Sequence, residues 1–261
     1  MYKLEYFEAD KVKELFAGWD ETGIWSYLTG YMGACWVDDL EHPTAARIIT
    51  GDFVYLTGNP DSPAAVEFIT EIPEDIIDDV LLVPRNRNWA KLIEDTYGED
   101  AEKITRYATK KLGDNFDREY LKSCIDSLPK GYEIVPIDEK LYEMALEDDW
   151  SKELVCQFDS YEDFAKRGMG FAVIYRDKFV SGSSSYTVYE GGCEVETDTF
   201  RPYRRKGLAM AVTAKMILAC LERGWYPSCD AASEISLHMA EKFGYKKDRA
   251  YDVYAVYIER K

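Results

Sequence analysis

Histidine is nearly missing: the 261 residues include only two, His42 and His238. The six cysteines, Cys35, Cys124, Cys156, Cys193, Cys220 and Cys229, form no C-x-x-C pair. Zinc sites draw on these two residue types at close spacing, so no metal is expected. No long apolar run is present, and the N-terminus lacks a secretory apolar segment; neither a membrane span nor a signal peptide is expected. The expectation is a soluble cytoplasmic protein with reduced thiols. Cations are also short: 32 Lys and Arg stand against 49 Asp and Glu, a formal net charge of −17. So acidic a surface repels nucleic acid and anionic membranes, and neither is expected as a partner. It suits a cationic substrate such as an amine, or serves solubility alone.

What the chain does have is material for a core. Its composition is 46% hydrophobic and 14% aromatic, which excludes a disordered chain. The length allows one large domain or two ordinary ones. Val12, Leu15 and Phe16 share a helical stripe over Glu8 to Ala17, and Ile24 to Tyr31 reads as a second short helix. Strands follow at Ala34–Val37, Ala46–Ile49 and Phe53–Leu56, then a helix after Ser62-Pro63. Val80–Val83 is a continuous apolar run, as in a strand covered on both faces. Asn88 is expected to cap a helix to Tyr97, with a strand at Lys103–Ala108. Asp117 to Leu128 reads as a connecting helix ended by Pro129-Lys130-Gly131.

The second half repeats that order. A strand at Tyr132–Val135 precedes helices capped by Asp138 and by Ser160 with Asp163. Strands follow at Gly170–Tyr175, Phe179–Tyr189 and Cys193–Thr199, then a helix from Gly207 to Gly224. A short strand at Trp225–Cys229, a helix capped by Ser233 and ended by Gly244, and a strand at Tyr251–Ile258 complete it. Two α/β lobes are therefore expected: 1–116, a linker at 117–131, and 132–261.

The most informative stretch is Thr197-Asp198-Thr199-Phe200-Arg201-Pro202-Tyr203-Arg204-Arg205-Lys206-Gly207-Leu208-Ala209. It places four cations at the start of a helix, where the backbone partial charge is already positive. A bound anion reverses that conflict, because the first N–H groups of a helix suit phosphate and glycine allows close approach. The matching turn of the first lobe, Gly58-Asn59-Pro60-Asp61, has no cation.

Arg204, Gly207 and Ala209 fill the Q/R-x-x-G-x-G/A signature of the Gcn5-related N-acetyltransferase (GNAT) superfamily, and the chain resembles that family across about 132–261. The strand before the motif, the helix after it and a later Glu241-Lys242-Phe243-Gly244-Tyr245 strengthen the resemblance; the first lobe looks like a degenerate second copy. The resemblance implies a mixed, mostly antiparallel sheet flanked by helices. It implies acetyl-CoA as acyl donor, a small-molecule amine as acceptor and direct transfer in a ternary complex, with a homodimer as one assembly. Matched residue by residue, Arg204, Arg205, Lys206, Gly207, Leu208 and Ala209 form the pyrophosphate loop, with Asp198 and Thr199 beside the pantetheine arm. Alternation places Glu194, Glu196 and Asp198 on one face of their strand unless a bulge intervenes. Glu196, then Glu194, is the expected general base. The tyrosine that protonates the leaving thiolate in many members aligns with Ala240, and the usual asparagine with Ser233. That departure keeps open a non-catalytic acyl-CoA-binding or sensing module; a tRNA-dependent aminoacyltransferase is disfavoured by the −17 charge. Ser236 and His238 lie nearby in sequence, His238 reading as a surface or packing residue.

Overall fold

The computed structural model describes residues 1–73 and 79–257; Ile258, expected to end the last strand, lies outside the described residues. In chain order the elements are β1 (Tyr2–Leu4), α1 (Thr22–Leu28), β2 (Ala34–Val37), β3 (Ala45–Thr50), β4 (Phe53–Gly58), α2 (Ala65–Thr70) and β5 (Asp79–Pro84). Next come α3 (Arg87–Tyr97), β6 (Ala101–Thr109), α4 (Arg118–Asp126), β7 (Tyr132–Pro136), α5 (Glu139–Glu147) and α6 (Tyr161–Arg167). The chain continues through β8 (Gly170–Tyr175), β9 (Lys178–Tyr189), β10 (Gly192–Thr199), α7 (Leu208–Glu222), β11 (Tyr226–Ser228), β12 (Asp230–Ala231), α8 (Glu234–Phe243) and β13 (Lys247–Tyr257). The mixed α/β class is as the sequence predicts.

Two compact units form, one of Met1–Arg106 with the chain from Ala250 on, the other of Tyr107–Arg249. In the first, strands lie in the order β1-β2-β3-β4-β5-β13-β6. β4 and β5 are parallel, whereas β13 runs antiparallel to β5, with Tyr254 opposite Leu82. Leu82 is buried, and one apolar layer includes Ile48, Tyr55 and Val83 while the other includes Leu56, Val80 and Leu82. A strand apolar on both faces needs a neighbour on each edge as well, and β13 supplies the second edge of β5. The expected lobe limits therefore differ from the units: the terminal strand belongs to the first unit, and Tyr107 to Thr109 of β6 and the connecting helix α4 belong to the second.

Two local expectations are corrected. Glu8 to Ala17 is no α-helix: a 3-10 turn over Tyr6–Lys11 passes into further turns closed by Leu15 N–H to Val12 and Ala17 N–H to Glu14. Val12 and Phe16 are nonetheless buried. A stretch this short has little helical stability of its own, so tertiary packing chooses the backbone and the stripe reports burial alone. The cap of α3 is Asn86 rather than Asn88: its side-chain oxygen accepts from the N–H groups of Asn88 at 3.0 Å and Trp89 at 3.2 Å. Trp19, Trp25 and Trp36 all lie in the first unit; Trp19 meets Tyr55 edge-on at 5.7 Å, and the guanidinium of buried Arg47 covers Trp36 at 4.5 Å.

The second unit has a five-stranded sheet, β11-β10-β9-β8-β7, antiparallel except for the β10–β11 pair. Helix α7 covers one face through Leu208, Val212 and Met216, which pack on Val173, Val180 and Cys193. On the other face Ser184 Oγ donates to the Leu154 carbonyl at 2.5 Å, and Gly170 lies against Phe164 of α6. Phe116, Leu121 and Cys124 of the α4 region join Ala214 and Ile217 of α7 with Ala240 and Phe243 of α8 in a further core.

Asn86→Ala should lower unfolding free energy by about 1 kcal/mol in urea titrations, while Asn88→Ala should stay within about 0.5 kcal/mol of wild type. The reverse ranking would return the cap to Asn88.

Candidate active site

β10 is bonded to β9 along its whole length but to β11 over three residue pairs only, Gly192–Tyr226, Cys193–Pro227 and Glu194–Ser228. Beyond Ser228 the chain turns to β6: Thr109 Oγ1 donates to the Cys229 carbonyl at 2.6 Å, and Asp230 and Ala231 pair with Ala108 and Tyr107. β10 and the chain beyond β11 thus part as a fork whose closed end is Glu194–Ser228. Among the described residues no strand joins β10 from Val195 to Thr199 on the side β11 has left. An extended ligand with amide groups can bond to an edge of that kind.

The register of β9 on β10 shifts between Glu194 and Val195, where β9 carries an extra residue, Tyr186. Because the bulge lies in β9, the parity of β10 survives. Cys193 Sγ lies 3.6 Å from Cys220 Sγ of α7, Val195 packs in the same layer, and Thr197 Oγ1 lies 2.9 Å from Thr213 Oγ1 of α7. Glu194, Glu196 and Asp198 consequently share the face turned away from α7. Thr199 is buried on the helix side, its hydroxyl 2.7 Å from Ser181 Oγ.

The loop is built to hold its backbone still. Arg204 Nε donates to the Thr199 carbonyl at 2.8 Å and its Nη2 to Asp198 Oδ1 at 3.1 Å. Asp198 Oδ1 also accepts the Thr199 N–H at 2.6 Å. The signature arginine therefore fastens loop to strand, and Asp198 is its partner. Arg205 has φ 63° and Gly207 φ 78°, so two left-handed residues curl the loop. Alternating backbone hands of this kind turn successive N–H groups toward one centre, an anion-binding concavity. The Leu208 side chain is buried, and a Cβ on Gly207 would meet nothing within 4 Å. Side chains cap α3, α4, α5, α6 and α8, but none caps the short α1 and α2 or the long α7. Its first intrahelical bond is from Ala211 N–H to Gly207, leaving the amides of Leu208, Ala209 and Met210 without intrahelical acceptors. Arg201, Arg205 and Lys206 are exposed around them, with Lys206 Nζ 4.9 Å from the centre of the Tyr203 ring. Open space, inward amides and surrounding cations suit a multiply charged anion.

The corresponding turn of the first unit is closed. A Cβ on Gly58 would stand 2.2 Å from the Thr44 carbonyl oxygen. Asn59 N–H donates to Thr44, Asp61 N–H to Asn59 Oδ1 at 3.0 Å, and Ser62 N–H to Asn59. Those amides are satisfied by the chain itself, and the helix that follows, α2, has only six residues.

Ala240 is buried among Phe116, Leu121, Ile217 and Phe243, so this position contributes to the helical core and offers no acid. Burial pushes the Cys229 thiol well up, and the carboxylates of Glu194, Asp230 and Glu196 add to it; that thiol stays protonated. His238 is exposed, and its Nδ1 is 2.6 Å from the Glu234 carbonyl within its own helix. Ser233 caps α8, accepting from Ser236 N–H at 3.2 Å. Tyr189, Ser228 and Thr109, which bound the fork, have no motif. The one signal is Gly192, which lies just before the expected strand Cys193–Thr199 and is the first residue of β10; glycine within a strand marks a close approach. Among the described residues no group of three or more His, Cys, Asp or Glu could hold a metal, and no helix is long and apolar enough to cross a membrane.

Comparison with known proteins agrees with this arrangement. The family model for GNAT acetyltransferase matches residues 13–254. A solved GCN5-related N-acetyltransferase-like protein from Streptococcus suis is 40% identical, with a TM-score of 0.90, covering 97% of this chain and 99% of that one. An N-acetyltransferase of Bacillus subtilis, YdfB, described as uncharacterized, is 26% identical over 230 residues, 85% of each chain. A tandem GNAT protein from the clavulanic acid biosynthesis pathway shares the fold at 12% identity, with a TM-score of 0.53 over all of this chain and 98% of its own. A model match over most of the length and a 40% identical relative covering nearly the whole chain place the protein in the GNAT acetyltransferase family.

Proposed function

We propose that this chain is a cytoplasmic enzyme that moves an acetyl group from acetyl-CoA to an amine of a small molecule. The observation that carries the donor is the uncapped start of α7 behind a loop with left-handed Arg205 and Gly207. The amides of Arg205 to Ala209 would hold the pyrophosphate, and the edge of β10 from Val195 to Thr199 would bond the pantetheine arm. Bound there, acetyl-CoA supplies an activated acyl group. The first lobe, whose matching turn is closed on itself, binds no coenzyme in this reading.

Glu196, with Glu194 second, takes the proton that the attacking amine must lose. Both stand on the face of β10 away from α7, near the closed end of the fork. The net charge of −17 favours approach of a cationic acceptor. No acid stands at position 240, so positioning has to supply much of the rate and water protonates the leaving group. A second reading, a module that binds acyl-CoA without turnover, takes its support from that same buried Ala240.

Thermal unfolding with acetyl-CoA tests the donor. At a hundredfold excess over Kd the coenzyme should stabilise the wild type by about 2.7 kcal/mol. Gly207→Asp should abolish the shift, because a carboxylate would meet the diphosphate. Gly207→Ala should lose about 1 kcal/mol of stability to its positive φ yet keep a shift. No shift in the wild type at millimolar coenzyme sinks the proposal.

Turnover separates the two readings. Multi-turnover release of CoA with one member of a broad amine panel marks an enzyme; binding with none marks the module. In the active case Glu196→Gln should lower kcat/KM by about a hundredfold. A smaller loss than that of Glu194→Gln would move the base to Glu194.

A further inference from the structure

Tyr189 is the last residue of β9, yet its hydroxyl serves β11, two strands away. Its Oη lies 2.6 Å from Ser228 Oγ and 3.4 Å from the Tyr226 carbonyl oxygen. To reach them the side chain crosses β10 over Gly192, where a Cβ would stand 2.4 Å from Oη and 2.6 Å from Cζ. No larger residue fits beneath it. Tyr189 and Ser228 are both buried, and burial pushes the phenol up, so it stays protonated.

Ser228 is also the last residue that β11 pairs with β10. At the next residue the bonding reverses direction, with Thr109 holding the Cys229 carbonyl and β6 pairing with Asp230 and Ala231. Consecutive residues are therefore drawn opposite ways: Tyr189 ties Ser228 to the β9–β10 side, and β6 draws Cys229 off. We infer that Tyr189 is a positioning residue whose hydroxyl sets where the fork between β10 and β11 closes, and so how deep the acyl end of a bound donor reaches. The inference rests on the coenzyme reading of loop and fork. Without the hydroxyl the end of β11 follows β6, the fork closes deeper, and acyl groups longer than acetyl gain room.

Isothermal titration of wild type, Tyr189→Phe, Ser228→Ala and the double variant tests this with two ligands. 3′-Phospho-ADP carries the pyrophosphate without the arm, and its affinity should stay within about twofold in all four. Acetyl-CoA should bind about fivefold more weakly to each single variant and no more weakly to the double, since both remove one bond. The preference for butyryl-CoA over acetyl-CoA should rise in all three. Unchanged acetyl-CoA affinity, parallel loss of both ligands, or additive losses overturn the inference. Amide hydrogen exchange on the ligand-free protein reads the same tie directly: Tyr189→Phe should speed exchange at Ser228 to Asp230, and unchanged rates overturn it. If the wild type binds neither ligand, the coenzyme reading fails, and the exchange rates still decide whether Tyr189 holds the fork.

Discussion

Between Ser228 and Cys229 the chain leaves one sheet for another. β11 bonds to β10 up to Ser228, and from Cys229 on the partner is β6. Two ladders cannot be followed at once, so the strands separate, and β10 is left with an open edge from Val195 on. An open edge inside a protein is costly unless something takes its amides and carbonyls. The bulge in β9, the glycine at 192 and the hydroxyl ladder of Ser181, Ser183, Thr197 and Thr199 all support a strand held firmly on one side so that the other can stay open.

The loop that follows repeats the same logic in electrostatic form. Arg204 and Asp198 neutralise each other and fix the turn, which leaves Arg201, Arg205 and Lys206 to surround an uncapped helix start. Each feature alone is mildly unfavourable: like charges near the positive end of a dipole, and amides without acceptors. A diphosphate relieves them together. The first unit shows the alternative outcome on a related plan, with amides closed by Thr44 and Asn59.

The motif and its strand–loop–helix setting were legible because they depend on local backbone chemistry: a glycine at positive φ, a helix start, a run of alternating residues. The shared face of Glu194, Glu196 and Asp198 was legible for the same reason, since the bulge fell in the partner strand. The fork was not. It arises from competition between β10 and β6, far apart in sequence, and its markers, Tyr189, Ser228 and Thr109, are ordinary residues. The shift of the α3 cap from Asn88 to Asn86 has a local cause: both can cap, and only the backbone at 86 is extended, with φ −153°. Nor did the sequence show that the terminal strand joins the first unit, because its residues carry no mark of which edge they will pair with.

That crossing strand has a consequence for how the protein comes to exist. The first unit begins at residue 1 but lacks the neighbour of β5 until residues from Ala250 on are available. During synthesis at about 5–20 residues per second, the second unit is made entirely within that interval. The half translated first is therefore finished last, its apolar β5 waiting with one edge bare while more than a hundred residues are made. Synthesis of the strand from Ala250 on, more than emergence of the N-terminal half, is then the event that completes the first unit.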